Sequence, residues 1–174
     1  MNKNKIVQKN DPVLRKKARS IEKEDLRTDR IKEVITNMKS ALHDTEDGVA
    51  IAAPQIGESL CIFIINKKIF ASDDNPNPQD KVFINPEIIN TSQKKVELDE
   101  GCLSVKNIYG KIERSAQATV RACDEAGEEF ELGGSGLIAQ IFQHETDHLD
   151  GVLFIDKATD LQEITSIEPN EEAS

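Results

Sequence analysis

The chain is 174 residues long and 37% apolar, with 32 acidic against 22 basic residues and a formal charge of −10. That length and apolar fraction suit one domain with a core that needs no disulfide staples, and the acidic balance, without a concentrated basic patch, argues against a nucleic-acid groove. No stretch approaches the ~20 apolar residues of a membrane span, and an odd number of cysteines without a signal-peptide pattern fits free thiols in a reducing cytoplasm.

In chain order, the sequence predicts a short helix over 11–18 and a longer one over 30–44, where Ile31, Val34, Met38 and Leu42 make one apolar stripe. His43, near the end of that stripe, reads as an ordinary helix-end residue. A glycine-rich loop from Gly48 to Gln55 comes next, then a strand over 60–65 and a loop rich in Asp, Asn and Pro over 72–80. Further strands are expected over 81–89, 94–98, 108–113, 118–123 and 128–132, with Glu125-Ala126-Gly127 as a turn. Cys61 and Cys123 fall in apolar or β-rich stretches and read as small core residues. Gly133-Gly134-Ser135-Gly136 interrupts the chain, Ser135 offers an N-cap, and a last helix carries Leu137, Ile141, His144 and His148 on one stripe. Residues 1–157 are expected to form a single domain. Residues 158–174 contain no Lys or Arg and read as an acidic, disordered tail. Short strands between helices give an α+β class, with short mixed or antiparallel sheets packed around a C-terminal metal-binding helix.

The chemistry concentrates in Gln143-His144-Glu145-Thr146-Asp147-His148. Two imidazoles four residues apart lie one helical turn apart on a single face, with Glu145 beside them, the arrangement of a metal site with an attached base. The bland alternative is a helix whose histidines merely pack, but imidazoles on an apolar stripe need a partner for each nitrogen. A catalytic ion of this type takes three protein ligands plus water. No third histidine follows at a ligand spacing. Cys102, set between Glu100-Gly101 and Leu103-Ser104 where a glycine lets the backbone turn, is the favoured third ligand, and Glu163 or Glu168 is the second option.

Gly48 to Gln55, Glu100-Gly101-Cys102-Leu103-Ser104 and the histidine motif resemble, in that order, the three signature motifs of the peptide deformylases. The likeness extends to Asp11-Pro12-Val13-Leu14-Arg15, Asn85-Pro86 and Tyr109-Gly110 to Arg114, so it covers residues 5–157. It implies a hydrolase removing the formyl group from formyl-methionyl nascent peptides, releasing formate and a free α-amine. Cys102, His144 and His148 would hold one ion, Fe²⁺ in cells with Zn²⁺, Ni²⁺ or Co²⁺ as substitutes, and Glu145 would act as acid and base. The side-chain amide of Gln55 and the backbone N–H of Leu103 would receive the negative oxygen. Val49, Leu98, Leu137 and Ile141 would form the pocket for the methionine side chain, with Ala50 and Glu100 also among the substrate-binding residues. Glu100 and Arg114 would pair to brace the cysteine loop, as an exposed ion pair worth about 0 to 1 kcal/mol. A transient encounter with the ribosome is expected, through no basic groove.

Two departures stand out. Ala50 replaces a usual glycine and is expected to narrow the cleft, and Lys106 stands where a proline is common. The alternative readings are a small metalloprotease with a downstream glutamate as third ligand, and a non-catalytic metal- or peptide-binding module. Glu145 and Gln55 argue against the last, since neither is needed to hold a metal.

Overall fold

The apolar run ending at Ile65 sets the architecture. In the computed structural model, which describes residues 5–164, it forms strand β2 (Ile62–Ile65), and all four of its side chains are buried. A strand with no polar position must be covered on both faces. Ile62 and Ile64 join a cluster with helix α1 (Asp29–His43), while Phe63 and Ile65 join one with helix α2 (Leu137–Leu149). The neighbouring strands β1 (Ala50–Ala52) and β3 (Lys81–Thr91) divide in the same way, Ile51, Val82 and Ile84 towards α1 and Ala50, Ala52 and Phe83 towards α2. With β6 (Gln117–Cys123) and β7 (Glu129–Ser135) they make a five-stranded sheet in the order β1-β2-β3-β6-β7, sandwiched between the two helices.

A second sheet, β4-β5-β8, combines β4 (Lys95–Cys102), β5 (Val105–Ser115) and β8 (Thr159–Glu163). Its core holds Leu14, Val105, Ile112, Leu153 and Phe154. Every strand pairing in both sheets is antiparallel, and among the described residues the parallel contact is the isolated bridge between Arg19 and Leu60. The α+β expectation holds.

Several local expectations give way to tertiary structure. The helix expected over 11–18 is a 3-10 turn, Pro12–Arg15, capped by Asp11, whose side chain accepts from the Val13 N–H. Beyond it the backbone runs extended because Ala18 and Arg19 bond to Leu149 and Ser59. The glycine-rich segment is not a plain loop, since it contains β1 and a 3-10 turn, Ala53–Ile56. Ser135 caps nothing. It ends β7, and Gly136, at φ 57°, takes the N-cap position without a side-chain bond. Gly134 lets α2 fold back on its own strand, because a Cβ there would meet Ile138 Cγ2 at 2.3 Å. Residues 159–163, expected in the disordered tail, instead form β8 against β5. The remainder of that tail, 165–174, lies outside the described residues.

Candidate metal centre

Two elements deliver the site. The cysteine motif is not a loose loop but the tip of the β4–β5 hairpin, where Cys102 pairs with Val105 and Leu103-Ser104 make the turn. The histidines come from α2, whose inward face carries Ile141, Phe142, Glu145, His148 and Leu149. The Cys102 Sγ lies 3.2 Å from His148 Nε2, and the ligand atoms of Cys102, His144 and His148 all fall within 4.8 Å of one another. One sulfur and two imidazole nitrogens converging on a point make a metal site, and three protein ligands leave a tetrahedral ion one open position. Among the described residues this is the cluster of metal-ligating side chains that meets that spacing.

The surroundings orient the rings. His144 Nδ1 lies 2.5 Å from Glu100 Oε1, and an ionised carboxylate only accepts, so Nδ1 carries the hydrogen and Nε2 is left for an ion. Burial opposes ionisation of Glu100, yet hydrogen bonds from His144 and Arg114 prevail and hold its carboxyl at about 2. Burial also opposes charge on His144, but contacts with Cys102 and Glu100 raise it well above the usual histidine range. His148 is pushed well below that range by burial and by the charge on His144.

Glu145 is 4% exposed, its Oε2 makes no hydrogen bond among the described residues, and burial pushes its carboxyl up to about 7. Gln55 is equally enclosed. Its Oε1 accepts from the Ala52 N–H at 2.8 Å, and its Nε2 donates to Ser104 Oγ at 3.2 Å while facing Cys102 Sγ at 3.5 Å. A free carboxyl near neutrality and an anchored amide donor therefore flank the ligand cluster.

Other expected site residues divide. Val49 and Leu98 are partly exposed, and Leu137 is 48% exposed at the start of α2 rather than on the inward stripe. Ile141 and Ala50 are buried in the α2-side core with Phe63 and Phe142, so the Ala50 methyl fills core space instead of narrowing a cleft. Glu100 is buried as well. It forms a buried ion pair with Arg114, each side chain 4% exposed, and the exposed, weak pair expected from sequence is corrected accordingly. Arg114 also bonds Asp147, which Lys157 pairs from the other side. The motif spacing alone assigns Asp147 no role, because both its partners come from other segments. His43 is a surface residue bonded to Asp80, and Cys61 and Cys123 are partly buried against the core. Glu163 sits exposed in β8 opposite Ile108, outside the ligand cluster, and Glu168 lies outside the described residues.

The polypeptide deformylase family model matches residues 3–163. The chain belongs to the peptide deformylase family. This makes it a hydrolase. A peptide deformylase of Pseudothermotoga lettingae is 46% identical over 147 residues, 84% of this chain and 77% of that one. The crystal structure of a Legionella pneumophila peptide deformylase matches with a TM-score of 0.78 at 36% identity, over 90% of this chain and 86% of that one. An Acinetobacter baumannii peptide deformylase crystallised with Met-Ala-Ser bound matches with a TM-score of 0.77 at 29% identity, over 87% and 96% of the two chains. Among the described residues, no helix of this deformylase is long and apolar enough to cross a membrane.

Proposed function

We propose that this deformylase hydrolyses the N-formyl group of formyl-methionyl peptides, with Cys102, His144 and His148 holding one divalent ion. Fe²⁺ is the proposed ion in the cell, and the mixed thiolate and imidazole set also suits Zn²⁺, Ni²⁺ or Co²⁺. When bound, such an ion makes water ionisable near neutral pH and draws charge from a carbonyl oxygen. Glu145 takes the proton of the attacking water and returns it to the leaving amine, giving formate and a free α-amine. The Gln55 Nε2–H and the Leu103 N–H receive the formyl oxygen as it becomes negative. The observation that carries this reading is Glu145, a buried carboxyl at about 7 with one oxygen unpartnered, set beside the ligand cluster.

Val49, Leu98 and Leu137 are the proposed apolar contacts of the methionine side chain, with Ile141 and Ala50 supporting them from the core and Glu100 orienting His144. The Met-Ala-Ser found in the Acinetobacter relative supports a peptide beginning with methionine. The proposed setting is the cytoplasm, where nascent formylated chains would bring the protein to the ribosome transiently. Formate release from N-formyl-Met-Ala-Ser tests the proposal: the wild-type protein is expected to release formate and Glu145→Gln to release none above background. Equal release by both would remove Glu145 from its role.

A further inference from the structure

Gln8 belongs to none of the three motifs, yet it reaches the hairpin that carries Cys102 across 95 positions of sequence. Its Nε2 donates to the Leu103 carbonyl at 3.1 Å, and its Oε1 accepts from the Lys106 N–H at 3.4 Å. One planar carboxamide thus holds the central Leu103–Ser104 peptide of the turn and the Val105–Lys106 peptide that follows it. The preceding residue reaches the other arm of the site, since the Val7 N–H donates to the Gln55 carbonyl at 2.9 Å. Residues 7 and 8 therefore pin both segments that supply the proposed oxyanion donors. Lys106 matters here because a proline, common at this position in the family, has no N–H to give.

The turn sits beside an irregularity in the hairpin. The hairpin register shifts between Gly101 and Cys102, and the Ser104 N–H donates to Cys102 Sγ at 3.4 Å. A donor helps only when aimed at the position the oxyanion will occupy, so holding the peptide planes beside that irregularity bears on the rate. We propose that Gln8 is a positioning residue for catalysis, holding the Leu103-Ser104 turn so that the Leu103 N–H faces the reacting carbonyl. The inference rests on the deformylase reading above.

The test uses full-length, zinc-loaded protein and three readouts: steady-state hydrolysis of N-formyl-Met-Ala-Ser, zinc per chain, and amide hydrogen exchange at Lys106 by NMR. Gln8→Met keeps the shape and loses both bonds. It should lower kcat about tenfold with KM within about twofold and zinc content unchanged, and speed exchange at Lys106 about fivefold, the loss of one modest hydrogen bond. Gln8→Glu keeps the acceptor for Lys106 but sets a carboxylate oxygen against the Leu103 carbonyl, so exchange should stay slow while kcat remains depressed. Full kcat in either variant overturns the inference, as does a loss that follows zinc content or KM. A wild-type protein that releases no formate would instead sink the reading on which it rests, and the Lys106 exchange would still report whether the clamp forms.

Discussion

At the scale of single residues, the side chains that would hold an ion are distinct from those that would handle protons and charge. Glu145→Gln preserves volume and removes the titratable proton, so kcat should fall by at least about a hundredfold with metal content intact. Gln55→Leu removes one charge-stabilising donor and should also cost about a hundredfold or more in kcat. Paired turnover and metal measurements on the two variants check both statements, and loss of metal from either would move that residue into the ligand-holding group. These roles were legible in the sequence because each motif packs its chemistry into a few adjacent positions. The state of Glu100 was not. Its burial depends on Arg114 lying diagonally across the β4–β5 ladder and on Asp147 arriving from α2, three segments that no periodicity connects.

At the scale of elements, α2 is fixed to the hairpin by that buried charge cluster. Arg114 bonds Glu100 at 2.6 Å and Asp147 at 2.6 Å, and removing it leaves the buried Glu100 carboxylate only His144 and Gln140 as partners among the described residues. Arg114→Met should therefore destabilise the fold by about 3 to 5 kcal/mol in urea unfolding, and a change below about 1 kcal/mol would contradict the importance given to this contact. The helices and most strands were readable from period 3.6 and period 2 patterns, their limits shifting by a few residues. The failures have a common cause in long-range backbone bonding: 11–18 gives up helix for bonds to Leu149 and Ser59, 133–135 reads as a breaker run yet completes the β6–β7 ladder, and 159–163 gains order by pairing with β5. Local composition contains none of these partners.

At the scale of the whole molecule, the buried cluster sets an acid limit. Glu100 has its carboxyl lowered from 4.5 to about 2, so its contribution to stability is complete above the unfolded value and disappears as pH falls from about 4.5 to about 2. In metal-free protein this one group should remove up to about 3 kcal/mol of unfolding free energy across that interval. Glu100→Gln should flatten the profile there, and an unchanged slope would show that other carboxylates dominate. The stretch 165–174 contains Glu but no Lys or Arg, so it offers nothing to ribosomal phosphates, and deleting it should leave salt-sensitive ribosome binding unchanged.

The claim beneath all of these is that one thiolate from the hairpin and two imidazoles from α2 share a single ion. X-ray absorption at the zinc edge of reconstituted protein tests it most directly. One sulfur neighbour is expected at about 2.3 Å and two nitrogen neighbours at about 2.0 to 2.1 Å, with the sulfur signal lost in Cys102→Ala. A wild-type spectrum without sulfur, or a Cys102→Ala spectrum indistinguishable from wild type, would contradict it.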